Sequence, residues 1–306
     1  MSRIMSTEEL SAAVVDKLRE SCRNETARVS SHELEDILYK QIPVLDHGFI
    51  RVVDYMGTDA SIVQAARVSY GMGTKKSQED RGLINYLMRH GHTTPFEMCE
   101  LKLHIKLPIF VMRQLVRHRT ASINEYSARY SVLNNEFYIP EADQIARQSG
   151  YQKQGKDDAP MDSSQTQEIL ELMKSTNEDS YQKYSRLLDG LALTRELART
   201  VLPISIYTEI YWKIDLHNLL HFVKLRADSH AQYEIRRYAD VILDIIKRWV
   251  PYTYDAFVNY RQKSVPVSGK CVDLINKALD GEKVSKENSG LSSGEWQDFA
   301  NIFHLE

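Results

Sequence analysis

The 306 residues carry 39 Lys and Arg against 42 Asp and Glu, a net charge of −3, with 42% hydrophobic and 26% charged residues. That balance gives ample material for a core and excludes polyanion binding by bulk charge, so any phosphate affinity must come from local clusters. The chain has no run of about eighteen apolar residues, no signal-like N-terminus and no close cysteine spacing among Cys22, Cys99 and Cys271, so a cytoplasmic chain without membrane span, disulfide framework or cysteine zinc site is expected.

Residues 1 to about 40 read as helical decoration, with Ser30 and Glu33 spaced as a capping box. Phe49 to Tyr55 reads as a strand, and Thr58 is placed to cap a helix reaching Val68. Leu83, Ile84, Leu87 and Met88 form a helical stripe that Gly91 ends. Leu101 to Leu107 alternates strictly, which predicts a strand with one core face and one polar face. Pro108 then opens a helix expected to carry Arg113, Gln114, Arg117, His118 and Arg119.

From Glu141 to about Gln165 the chain is polar and reads as a surface insertion. Helices are expected over 168–189 and 194–201, then a strand from Ile204 to Ile214. Two helices should fill 215–249 with a break near Asp228, Ser229 and Gln232 making a capping box, and Ile235, Ile242, Ile246 and Trp249 buried. Beyond Tyr260 a polar Gly/Ser-rich tail holds a weak helix near 272–279. Helices and strands alternate irregularly and no strand ends in a Gly-rich dinucleotide turn, which favours α+β over a doubly wound sheet.

The stretch from Arg117 to Ser131 is the densest in chemistry. Five basic residues fall between Arg113 and Arg129, interleaved with hydroxyls and one carboxylate. Guanidinium groups suit phosphate because they donate paired, planar hydrogen bonds. Ser127 and Arg129, two apart, would point the same way in an extended segment and form a phosphate clamp. Alone, an Arg-His-Arg triplet reads as a solvated basic face, or as part of a nucleic-acid-binding patch; the acidic net charge argues against the latter.

The longer pattern carries a resemblance. Arg117-His118-Arg119, seven residues, then Ser127 is similar to the signature of the flavin-dependent thymidylate synthases. His90-Gly91-His92-Thr93-Thr94-Pro95-Phe96-Glu97, Pro108 to Val111 with Gln114, and Leu225-Arg226-Ala227-Asp228-Ser229-His230-Ala231-Gln232 resemble further segments of that family, in order, over roughly 50–260. The resemblance implies an α+β fold with a central, mostly antiparallel sheet flanked by helices. It implies an N-terminal extension over 1–46, a catalytic domain over 47–262 with an insertion at 141–165, and a tail over 263–306.

It further implies methylation of dUMP to dTMP with 5,10-methylenetetrahydrofolate, FAD and NADPH, in a homotetramer whose sites are shared between subunits. By position, Gln114, Arg117, Glu125, Ser127, Ala128, Arg129, Arg199 and Arg226 would bind dUMP, with Arg226 also catalytic. Glu125 to Arg129 would come from a neighbouring subunit. Ser69, Thr94, Glu97, Arg117, His118, Arg119, Glu125, Asp215, His217, His221 and His230 would line the FAD site, and His92 would lie near the flavin and the folate approach. The chain departs from the family pattern at Ala128, where Gly is common, and at Asp215, His217 and His221, which are often Asn, Arg and Asn. No cysteine is placed for nucleophilic attack, so the flavin would carry the hydride while the protein binds and orients. No metal is expected, since the histidines lack ligand spacing.

Overall fold

A five-stranded antiparallel sheet, whose strands numbered in chain order lie as 1-2-3-5-4, organises the compact unit that ends at Phe257, as a computed structural model describing residues 28–68, 77–148, 155, 157 and 161–304 shows. The expected helix before residue 28, Cys22 and Ser69 lie outside the described residues. In chain order the first elements are α1 (His32–Glu35), β1 (Gln41–Val44), β2 (Gly48–Met56), α2 (Asp59–Val68), α3 (Ser77–Arg89) and α4 (Thr94–Glu97). Then come β3 (Glu100–Pro108), α5 (Ile109–Leu115), β4 (Ser122–Glu125), α6 (Ser163–Ser185), α7 (Arg195–Ala198), β5 (Tyr207–Asp215), α8 (Leu216–Arg226), α9 (Tyr233–Trp249) and α10 (Pro251–Phe257). Three further helices, α11 (Gly269–Leu279), α12 (Lys286–Ser289) and α13 (Ser293–Phe303), belong to a second compact unit that starts at Val258.

The alternation in β3 sets the core. Leu101, Leu103, Ile105 and Leu107 are fully buried, and β5 pairs with them in register, Leu103 opposite Trp212 and Ile105 opposite Ile210. α9 supplies the facing layer through Ile235, Tyr238, Ala239, Ile242, Ile245, Ile246 and Trp249, the expected stripe with Tyr238, Ala239 and Ile245 added. Tyr238 reaches across to donate its hydroxyl to Lys106 O at 2.7 Å. A Cβ at Gly48 would lie 2.1 Å from that hydroxyl, which explains why β2 begins on glycine.

The other face of β3 is polar as alternation suggests, and Lys102 on it is partly exposed, but it is not solvated along its whole length. His104 and Lys106 are buried too. Lys106 Nζ donates to Glu136 at 2.7 Å, while His104 Nε2 pairs with Glu209 at 2.7 Å and its ring stacks on Tyr211. Alternation fixes which way a side chain points but not what covers it, and a buried ammonium demands such a partner.

Several boundaries move for local reasons. α1 starts from Ser31, not from a Ser30 box, and the Ser31 hydroxyl donates to Arg248 O instead of capping. α3 stops where expected, with Gly91 at φ 73° and His92 N–H donating to Leu87 O at 3.0 Å. α6 begins at Ser163, within the polar stretch, because Asp162 accepts from the N–H groups of Ser164 and Gln165. β5 begins only at Tyr207; Ile204 is exposed and its carbonyl receives Phe110 N–H at the start of α5. The break between α8 and α9 falls at 227–232, but Gln232 is the cap position and the Ser229 box does not form; Ser229 O accepts from Arg236 instead.

The residues after Val258 are more ordered than their polar composition suggests. The serines act as caps: Ser268 accepts from Cys271 N–H, and Ser292 and Glu295 form a capping box. Leu274, Phe299 and Ala300 are buried. Among the described residues no helix is long and apolar enough to cross a membrane.

Candidate active site

α5 springs from the end of β3, with Val111 and Leu115 buried and Arg113 on its exposed side. The helix ends at Leu115, earlier than expected, so Arg117, His118 and Arg119 occupy the turn beyond it rather than a helix face. In that turn Arg117 and Arg119 stay exposed while His118 turns inward to 9% exposure. α8 packs through Leu219, Leu220, Phe222 and Val223. Its opposite side presents Asn218, His221, Leu225 and Arg226 to an open cleft of about 680 Å³, whose other wall is Arg113, Gln114 and Arg117 to Thr120.

The cleft is a donor-rich, cationic space. Among the described residues four guanidinium groups line it, those of Arg113, Arg117, Arg119 and Arg226, and no carboxylate does. Arg226 Nε donates to His118 Nε2 at 3.1 Å. That bond needs a neutral imidazole, and burial first, then the charges of Arg226 and His221, push the His118 pKa down to about 4. The Phe222 ring meets the His118 ring edge-on with centroids 5.0 Å apart. Burial and then Arg117 lower the Arg226 pKa from its ordinary value. Gln114 donates its amide to Gln232 Oε1 at 2.5 Å, tying α5 to the start of α9.

The remaining predicted residues stand apart from this cleft. Glu125 ends β4 and accepts from the Thr208 hydroxyl at 2.9 Å. Ser127 and Arg129 do not lie in an extended segment: Tyr130 and Ser131 N–H groups both donate to Ser127 O, and Ser127 Oγ receives Arg129 N–H at 3.4 Å. The two-residue spacing therefore builds a turn, with the backbone satisfied locally. Ala128 is buried in a small cluster with Leu133, Phe137 and Ile206. Arg129 pairs with the Glu196 carboxylate at 3.4 Å, and Arg199 Nε donates to Glu196 O at 3.3 Å. Glu196, which nothing in the sequence singled out, thus gathers the two arginines on one surface.

Thr94 and Glu97 lie in α4, packed near the start of α8, and His92 lies just before α4 with its ring 5.8 Å from that of Tyr86. Asp215 is the N-cap of α8, accepting from Asn218 N–H. His217 follows in the first turn of α8, half-buried and outside the cleft wall. His230 is exposed and pairs with Asp228 at 2.8 Å, while Ser69 lies outside the described residues. One chain therefore brings Gln114, Arg117, His118, Arg119, His221 and Arg226 together, and the other predicted residues that are described line no part of that cleft.

A family model described as thymidylate synthase complementing protein matches residues 51–252. A flavin-dependent thymidylate synthase of Rickettsia bellii is 53% identical over 290 residues, covering 91% of this chain and 99% of that protein. Another, from Wolbachia pipientis, is 56% identical over 277 residues, covering 90% and 97%. Among solved structures, a UMP/dUMP methylase PolB from Streptomyces cacaoi bound with 5-Br dUMP is similar at a TM-score of 0.65 and 33% identity, covering 73% of this chain and all of that one.

Proposed function

The chain belongs to the thymidylate synthase complementing protein family, and from that premise we propose that it methylates dUMP to dTMP, taking the carbon from 5,10-methylenetetrahydrofolate and the hydride from FAD that NADPH has reduced. It is an enzyme of the methyltransferase class, acting in thymidylate synthesis. The observation that carries the proposal is the cleft: four guanidiniums and no carboxylate among the described lining residues, with Arg226 fixed on a neutral His118.

That donor set fits nucleotide ligands. Uracil and the flavin ring present carbonyl oxygens, and both ligands carry phosphate, so planar cationic donors match them. When bound, FAD supplies a hydride in its reduced form. Gln114 and Arg117 hold dUMP, and Arg226 meets the uracil carbonyl edge, where its preoriented charge stabilises negative charge developing in the ring. Arg117, His118, Arg119 and His221 line the flavin side, and His92 borders the folate approach.

Glu125, Ser127, Ala128, Arg129 and Arg199 meet the nucleotide from a second copy of the chain. Thr94, Glu97, Asp215, His217 and His230 contribute to the FAD site, and Ser69 with them, in a homotetramer. The absence of these groups from the cleft wall of one chain, among the described residues, supports a site completed by assembly. No cysteine acts as nucleophile. Cys99 is buried and its thiol is pushed up to about 12, chiefly by burial, which leaves no thiolate at neutral pH.

The test is a spectrum followed by a single turnover. The purified chain should bind FAD, and prereduced enzyme mixed with dUMP and methylenetetrahydrofolate should form dTMP as the flavin is reoxidised. Flavin binding without dTMP formation would overturn the assignment.

A further inference from the structure

We propose that the side-chain carbonyl of Asn218 is the acceptor that receives the imide N–H of a ring bound in the cleft, an inference that rests on reading the cleft as the uracil and flavin site. Uracil and the flavin ring share one edge, C(=O)–NH–C(=O), which offers two acceptors flanking one donor. The guanidiniums of the cleft satisfy the carbonyls but accept nothing. The Nε2 atom of His118, a buried acceptor on that wall, is already taken by Arg226, and the Thr120 hydroxyl and His221 ring on the wall belong to exposed residues that no described carboxylate orients. An N–H brought into such a cleft without an acceptor would lose its water and gain nothing.

Asn218 lines the cleft from the first turn of α8, and its orientation is dictated by Asp215. Asp215 Oδ1 accepts the Asn218 backbone N–H at 3.0 Å, and Oδ2 accepts the Asn218 amide Nδ2 at 2.7 Å. An ionised carboxylate only accepts, so the carboxamide cannot reverse without losing that bond. Nδ2 is held toward Asp215, and Oδ1 is the polar atom left for the cleft. Gln114 is a weaker candidate for this role. Its partner Gln232 is another carboxamide, so both amides can turn over together and keep their bond. Asp215 itself does not line the cleft, which makes it the positioning residue and Asn218 the residue that touches the ligand.

The experiment uses full-length enzyme saturated in turn with FAD and with dUMP, each labelled with ¹⁵N at N3, and reads the N3–H proton resonance. In the unaltered protein one of the two rings should show a downfield, slowly exchanging N3–H. Asn218→Ala should move that proton upfield and weaken that same ligand about tenfold, the worth of one hydrogen bond. Asp215→Ala, which frees the carboxamide to turn, should shift the same resonance by less. A response confined to FAD assigns the flavin as the donor, and one confined to dUMP assigns uracil. An unmoved N3–H on both rings in Asn218→Ala, with both ligands still bound, overturns the proposal while leaving the reading of the cleft standing. Failure of the unaltered protein to bind either ring overturns both.

Discussion

Arg226 donates its Nε–H to Nε2 of His118 across 3.1 Å, so the middle residue of the Arg-His-Arg triplet faces inward onto α8 while its two neighbours face solvent. His118 can hold Arg226 in place only while its imidazole is neutral. Its pKa in the fold is about 4, lowered chiefly by burial, against an ordinary 6.5. The unfolded chain binds more protons than the folded one between those values. The contribution of His118 to stability is therefore complete above pH of about 6.5 and is lost as the pH falls toward about 4. Denaturant midpoints measured at neutral pH and near pH 5 should drop more for the native sequence than for His118→Asn. Identical drops would show that His118 carries no such linkage.

Arg226→Lys keeps a charge in the cleft but removes both the fork and the Nε–H donated to His118. The variant should fold and retain flavin, bind dUMP more weakly and lose one to two orders of magnitude in turnover, or roughly 1.4–2.7 kcal/mol of transition-state stabilisation. The measurement is dTMP formed in a single turnover with prereduced enzyme. Near-normal product would leave Arg226 as a structural partner of His118 only.

What could be read from the sequence follows the range of the interactions involved. The β3 strand, the α9 stripe and the Gly91 stop were legible because each depends on a local period or a backbone requirement. The burial of His104 and Lys106 was not, because their partners Glu209 and Glu136 lie far along the chain. Serines deceived in both directions: Ser229 looked like a cap and is not, whereas Ser268 and Ser292 in the supposed tail are. In the site, the triplet was visible as a cluster. The Asp215 to Asn218 lock and the gathering of Arg129 and Arg199 around Glu196 depend on rotamers and loop paths that no spacing reveals.

The Arg129–Glu196 pair is half-exposed on both sides, so its contribution to stability is about 0–1 kcal/mol. Arg129→Ala should leave the melting temperature almost unchanged. If Arg129 holds the dUMP phosphate, the same variant should weaken dUMP binding by roughly 1.5–3 kcal/mol, the worth of a charge-assisted hydrogen bond. Titration with deoxyuridine, which has no phosphate, should show little difference between the two proteins. Equal losses for dUMP and deoxyuridine would remove Arg129 from the phosphate site.

Cys99 is fully buried, and its thiol lies 3.6 Å from the Thr58 carbonyl. A protein with Cys22, Cys99 and Cys271 all changed to Ala should keep its dTMP-forming activity at low temperature. It should lose some stability from the small cavity at Cys99. Chemical denaturation and single-turnover assays on the same preparation separate the two effects. A well-folded single cysteine variant without activity would mean that a thiol takes part in the chemistry.

Arg226 lines the cleft, whereas Ser127 sits in the turn after β4 and lines no part of it. If a working site joins the cleft of one chain to the Ser127–Arg129 turn of another, an Arg226→Ala chain and a Ser127→Ala chain each spoil every site in their own oligomers. In mixed oligomers some sites combine an intact cleft with an intact turn. Two inactive preparations, mixed under conditions where labelled subunits are seen to exchange, should therefore regain part of the native turnover. The recovery should rise with the degree of exchange and stay below that of the native protein, because random mixing also produces doubly defective sites. Proven exchange with no recovery would place both residues of a site on one chain, and the turn would then have to reach the cleft by a rearrangement within the monomer.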